Sequence, residues 1–140
     1  MSRLSETDDE GAVGMGRVRT LHFLSILLGA SSAAPVLAQD ASAGATIFKR
    51  CAICHSVDPA KGPKIGPALN GVVGRKAGTA AGFAYSPAMA KSDIVWTAAK
   101  LDAFITRPSG LVPGNRMAFG GIPDAQQRAD LIAYLKTLAK

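Results

Sequence analysis

The chain has 140 residues, 48% of them hydrophobic, with 16 Lys and Arg against 10 Asp and Glu. It holds only two cysteines and two histidines, too few for a disulfide framework. From residue 39 onward there are 13 basic and 6 acidic residues, a net charge of +7, but never more than two basic residues in a row. Such dispersed charge suits a solvated surface that steers toward acidic partners. It does not suit nucleic-acid binding, which wants a basic patch with a recognised motif or stacking aromatics.

The first 38 residues do not read as a folded domain. Arg17 and Arg19 precede an apolar run of Leu21, Phe23, Leu24, Ile26, Leu27 and Leu28, and small residues lead to Val36-Leu37-Ala38 before Gln39. That is the order of a secretory signal, with the cut expected after Ala38. The acidic patch Glu6, Asp8, Asp9, Glu10 is unusual in a signal, and a start at Met15 would give one of ordinary layout. An uncleaved anchor is the competing reading. Leu21 to Ala38 is barely long enough to span a bilayer, and Ser31, Ser32 and Pro35 weaken it. Residues 39–140 then form one domain of 102 residues. A chain this short has a thin core, which a large apolar cofactor would fill.

Asp40 or Ser42 is placed to cap a first helix running toward Cys51, with Ile47 and Phe48 as apolar contacts and Gly44 permitting close approach. The helix leads into Cys51-Ala52-Ile53-Cys54-His55. This spacing is that of covalent attachment of c-type haem. Two thiols one helical turn apart each add to one vinyl group of the porphyrin. The histidine that follows is held under the ring and offers an imidazole nitrogen to the iron. A thioredoxin-like dithiol would need a βαβ setting that the flanking sequence lacks. A zinc site would need four ligands and would have to recruit His22 from the expected signal. A disulfide closing so short a loop would be a poor staple.

From Pro59 to Gly78 five glycines and three prolines (Pro59, Pro63, Pro67) mark a loop, with at most a helical turn near Ala68 to Val72. Ser86-Pro87 is a cap with proline at the first helical position, opening a short helix through Met89 to Lys91. Ile94-Val95-Trp96 is a brief extended stretch. Thr97 caps a helix carrying Leu101, Phe104 and Ile105, which should stop before Pro108. Residues 109–123 read as loop, broken by Pro113-Gly114 and Gly120-Gly121. Asp124 with Gln127 caps the last helix, whose stripe is Leu131, Tyr134, Leu135 and Leu138; Lys136 and Lys140 near its end suit the helix dipole. The expected fold is all-α, with long loops wrapped around one cofactor. Of the methionines beyond the signal, Met117 lies in a loop that proline and glycine make rigid, and its soft thioether suits a sixth iron position. Met89 reads as core.

Taken together, residues from about Gly44 to Lys140 resemble the class I c-type cytochromes, among them mitochondrial cytochrome c and its soluble bacterial relatives. The stretches that carry the resemblance are Cys51-Ala-Ile-Cys-His55, Gly66-Pro67-Ala-Leu69, Gly71-Val-Val-Gly74-Arg75, Gly82-Phe83-Ala-Tyr85, Trp96, Pro113-Gly114-Asn-Arg-Met117 and Asp130-Leu-Ile-Ala-Tyr-Leu-Lys136. The resemblance implies a small single-domain fold around one covalent haem c on Cys51 and Cys54, with His55 and Met117 as axial ligands. It implies that the Pro67 carbonyl accepts the other ring N–H of His55. Arg75, Tyr85 and Trp96 would hold the inner haem propionate, and Phe119 would lie against the haem near its exposed edge. Gly44, Phe48, Leu131 and Tyr134 would join the first and last helices.

Phe104 stands where mitochondrial members carry a tyrosine, and Met89 where they often carry asparagine, so a drier distal pocket is expected. Arg50, Lys64 and Arg116 match basic positions of the family's docking face, whereas Ser109, Gly110 and Asp124 fall where lysines are common. The implied function is that of a non-enzymatic, monomeric one-electron carrier in the periplasm. Its implied partners are quinol–cytochrome c oxidoreductase as donor and a terminal oxidase or photosynthetic reaction centre as acceptor, with only peripheral membrane contact. A haem enzyme or diatomic-gas sensor with a labile Met117 is the alternative, and a thiol–disulfide oxidoreductase the third reading.

Overall fold

The computed structural model describes residues 38–138. Residues 1–37 of the expected signal segment, with Met15 and His22, lie outside the described residues, as does Lys140. The described chain is helical: α1 (Ala41–Ala52), α2 (Pro87–Ala90), α3 (Ala98–Thr106), α4 (Pro108–Leu111) and α5 (Ala125–Thr137), with a 3₁₀ turn at Pro59–Lys61. Among the described residues the sole β feature is an antiparallel bridge between Lys76 and Val95. The all-α reading therefore holds.

Four of the five helices start where a side chain satisfies the unpaired N–H groups of the first turn, α4 being the exception. The Asp40 carboxylate accepts from the Ser42 and Ala43 amides. The Ser86, Thr97 and Asp124 side chains accept from Met89, Lys100 and Gln127. Two short elements differ from expectation. Pro108 ends α3 and also opens α4, because a proline at the first helical position gives up no hydrogen bond there. Residues 108–111, mostly read as loop, thus form one helical turn closed by Val112 N–H to the Pro108 carbonyl at 3.0 Å. The 3₁₀ turn at Pro59–Lys61 is capped by Asp58.

Helices α1 and α5 cross where Gly44 meets Asp130. A Cβ on Gly44 would overlap the Asp130 carbonyl oxygen and come within 2.8 Å of Tyr134 Cβ. The missing side chain lets the two backbones touch. One turn on, Phe48 and Tyr134 stack at 5.2 Å between ring centroids. Asp130, a buried carboxylate that the sequence did not single out, accepts the Asp40 N–H at 2.9 Å and the Gln126 amide at 2.9 Å. It ties the start of α1 to α5. Behind this crossing lies one core containing Phe48, Trp96, Leu101, Phe104, Ile105, Ile122, Leu131 and Leu135. Burying a side chain of this size contributes roughly 1.5–3 kcal/mol. Met89 is part of that core, as expected, and Phe104 packs on Trp96 at 4.9 Å.

Arg128 fastens the first turn of α5 to its surroundings. Its guanidinium donates to Asp102 of α3 at 2.7 Å and to the Ile122 and Pro123 carbonyls at 3.0 and 2.7 Å. The loop between α4 and α5 is thereby held at its exit.

Candidate haem-attachment site

The last turn of α1 delivers Cys51, and the chain turns away after Ala52 so that Cys54 and His55 follow on the same side. The Cys54 and His55 amides both donate to the Cys51 carbonyl, at 3.0 and 2.9 Å. Both cysteines are free thiols and half-buried. Burial pushes the Cys51 thiol above its ordinary value; Arg50 opposes this and Cys54 adds to it. No disulfide closes the pair. Among the described residues no three His, Cys, Asp or Glu side chains gather as metal donors.

His55 is held from behind. Its Nδ1 lies 2.7 Å from the Pro67 carbonyl. A carbonyl can only accept, so Nδ1 carries the proton and the Nε2 lone pair is left for a ligand. Burial holds the imidazole below its ordinary value; the Pro67 bond opposes that and the Lys64 charge adds to it. The neutral form is the one that binds iron. Gly66 lies against the ring: a Cβ there would come within 2.5 Å of His55 Cε1 and 2.8 Å of Nδ1. The Gly66 amide donates to the Cys54 carbonyl at 2.8 Å, so the 64–67 segment is laced to the attachment turn. Two free thiols, an oriented neutral imidazole and a backbone cradle without a Cβ fit a covalently bound haem.

Arg75, Trp96 and Tyr85 come from three segments. The Lys76–Val95 bridge brings the first two together: Trp96 N–H donates to the Arg75 carbonyl at 2.9 Å, and Gly74 N–H to the Trp96 carbonyl at 3.0 Å. Arg75 donates to the Ala68 and Asn70 carbonyls at 2.7 and 2.9 Å, using two of its five N–H groups. Tyr85 Oη accepts from the Ala80 amide at 3.2 Å, leaving its own proton free to donate. Burial is the main cause that lowers the Arg75 pKa and raises that of Tyr85. Arg75, Asn70, Thr79 and Ala80 line a cavity of about 250 Å³.

Met117 is half-buried and packs against the core, as does Phe119. The loop that carries it is built on a turn. Val112 O accepts the Asn115 amide at 3.1 Å, across Pro113 and a Gly114 with φ of +82°, the arrangement of a type II turn. Farther along, Ile122 N–H donates to the Ile105 carbonyl at 2.9 Å. Gly121 there has φ of +102°, and a Cβ on it would overlap the Thr106 carbonyl oxygen. Asn115, Arg128 and Gly121 give this loop its shape, and the sequence pointed to none of them as functional.

Of the expected docking cations, Lys64 and Arg116 are tethered. Lys64 Nζ donates to the Ala52 carbonyl at 2.6 Å, and Arg116 Nη2 to the Ala84 carbonyl at 3.2 Å. Arg50 is exposed beside Cys51. Ile53 and Ile65 are 71% and 78% exposed next to these cations, too open to serve as core.

Comparison with known proteins agrees with this geometry. A protein-family profile described as Cytochrome c matches residues 41–139. Cytochrome c2 of Blastochloris viridis is 48% identical over 107 residues, covering 76% of this chain and 84% of its own. Cytochrome c of Guizotia abyssinica is 45% identical over 107 residues, covering 76% of this chain and 96% of its own. The solved structure of cytochrome cH from Methylobacterium extorquens superposes with a TM-score of 0.67 at 44% identity, covering 70% of this chain and 98% of that one.

Proposed function

The chain belongs to the cytochrome c family, and from that membership and the site geometry we propose a periplasmic one-electron carrier with His55 and Met117 as the axial ligands of its haem. The coarser part of this reading stands on the family itself: the protein is an electron carrier, not an enzyme, and binds haem c covalently through Cys51 and Cys54. The observation that carries the ligand assignment is the 2.7 Å contact between His55 Nδ1 and the Pro67 carbonyl, which orients the ring and commits Nε2 outward.

When bound, the haem iron takes up and releases one electron. The protein's residues do the rest. His55 is oriented by the Pro67 carbonyl and kept neutral by burial. Met117 supplies a weak, uncharged donor that favours the reduced iron and raises the potential. Arg75 and Trp96, drawn together by the Lys76–Val95 bridge, would with Tyr85 supply hydrogen-bond donors to a haem propionate. A site closed on both faces needs little rearrangement during transfer. Lys64, Arg50 and Arg116 steer acidic partners toward the haem edge. Quinol–cytochrome c oxidoreductase as donor, and a terminal oxidase or photosynthetic reaction centre as acceptor, suit that surface. Residues 1–38 serve as the export signal that brings the chain to the haem-attachment machinery outside the cytoplasm. No described helix is long and apolar enough to cross a membrane.

Optical spectra of the purified protein test this reading. A weak far-red band from thioether to ferric iron, and no binding of carbon monoxide by the reduced form, are expected. Ready carbon monoxide binding would show an open iron and move the reading to a haem enzyme or gas sensor. Intact mass of the exported protein locates the cut after Ala38.

A further inference from the structure

We propose that Asn115 is the positioning residue for Met117, holding the thioether in place through a two-ended side-chain clasp on its loop. The inference rests on the reading of Met117 as an iron ligand. The Asn115 Nδ2 donates to the Val112 carbonyl at 2.8 Å, and its Oδ1 accepts the Met117 amide at 2.9 Å. One end of the amide can only donate and the other only accept. The two partners are a carbonyl and an N–H, so they fix the orientation of the side chain. Its backbone N–H donates to the same Val112 carbonyl at 3.1 Å. One residue therefore closes the turn behind it and sets the direction of the chain ahead of it.

The consequence for Met117 follows from what else holds it. No other side chain hydrogen-bonds its backbone among the described residues. Its carbonyl accepts only from the Phe119 amide inside the same loop, at 3.0 Å. The next anchors lie to either side: Arg116 on the Ala84 carbonyl and Ile122 on the Ile105 carbonyl. Without the clasp, the stretch from Gly114 to Gly121 would keep its backbone turn, one exposed arginine tether and the partial packing of Met117 and Phe119 on the core, with no side chain holding the Met117 backbone. A thioether is a weak donor, so its hold on iron depends on how little the loop must be ordered to reach it. Asn115 supplies that order in advance.

The test is imidazole titration of the ferric holoprotein, read by loss of the thioether-to-iron band, beside guanidinium unfolding of the same samples. Asn115→Ala should bind imidazole roughly tenfold to a hundredfold more tightly than wild type, the factor expected for the two side-chain hydrogen bonds of ordinary strength that the clasp loses. Asn115→Ser keeps a short oxygen acceptor within reach of the Met117 amide and should restore most of the wild-type resistance. Equal imidazole affinity in wild type and Asn115→Ala overturns the proposal. So does a parallel drop for Asn115→Ala and Asn115→Ser that merely follows global unfolding. If the wild type itself lacks the band, the assignment of Met117 fails and the proposal falls with it. A wild type with the band and an indifferent Asn115→Ala removes the clasp alone.

Discussion

With Met117 as the proposed sixth ligand, the two sides of the haem site are built by opposite means. On the His55 side, everything that matters lies in five consecutive residues and one returning loop segment. The attachment bonds are covalent, and His55 is held by a single close carbonyl and a glycine that leaves no room to move. On the Met117 side nothing is covalent to the cofactor. The loop from Val112 to Ile122 reaches its shape through a turn, an asparagine clasp, an arginine from α5 and a positive-φ glycine. One side is fixed by bond strength and the other by a sum of weak contacts, each worth about 1 kcal/mol. The Met117 side is therefore the one that gives way first under heat, denaturant or a competing ligand.

The strongest way to break this comparison is to remove the covalent side. Replacing Cys51 and Cys54 together by serine should abolish covalent haem, seen as loss of haem stain on a denaturing gel. The thin core then loses its cofactor, and far-UV circular dichroism should show most helix lost. A chain that kept its helices would show that α1, α3 and α5 fold without haem.

A matched pair of glycine changes separates the sides. Gly121→Ala places a side chain at φ +102° against the Thr106 carbonyl, a combined strain and overlap of about 3 kcal/mol. Gly66→Ala drives a methyl group into the His55 ring, at about 2 kcal/mol. Gly121→Ala should lose the thioether-to-iron band well below the global unfolding midpoint. Gly66→Ala should lose band and fold together. The reverse pattern would place the weak side of the site at His55.

Much of this was legible in the sequence where a function sits in neighbouring residues. Cys51 to His55 is contiguous, and the caps at Asp40, Ser86, Thr97 and Asp124 each act within three residues. What escaped acts across the chain. Arg128 reaches Asp102, 26 positions away, and Asp130 reaches Asp40, 90 positions away. No local pattern marks such partners. Asn115 escaped for a different reason: its clasp is local, but an asparagine after Pro-Gly reads as an ordinary turn residue. The short helix α4 escaped because Pro108 looked only like the end of α3.

Arg128 gives the next test. Arg128→Ala removes an ion pair that is buried on its Arg128 side and half-exposed on its Asp102 side, together with two carbonyl contacts at the loop exit, a loss of about 2 kcal/mol. Guanidinium unfolding should report it, with the thioether band weakened and haem attachment untouched. A smaller effect belongs to Tyr85. Burial raises its phenol pKa above the ordinary 10.0, so above that pH the unfolded chain sheds its proton first and the folded state binds more. Stability then falls as pH rises through this window. Tyr85→Phe should fall less steeply over the same range, as followed by denaturant midpoints.

The smallest effects concern docking, and they probe the two sides together. Lys64 is tethered to the Ala52 carbonyl beside the attachment turn, and Arg116 to the Ala84 carbonyl one residue from Met117. A tethered cation has already given up part of its side-chain entropy, so each should contribute more per charge than a free lysine. Lys64→Gln and Arg116→Gln should each slow bimolecular electron transfer with an acidic partner by roughly twofold to fivefold at low salt. The difference should vanish as ionic strength rises and the charges are screened. The exposed Ile53 and Ile65 lie beside Lys64, so rates at high salt, where steering is gone, should respond to them instead. If Arg116→Gln also weakened the thioether band while Lys64→Gln left the haem spectrum unchanged, docking and ligand retention would share a residue on the Met117 side only. The asymmetry between covalent and assembled halves would then extend from the iron to the surface that partners meet.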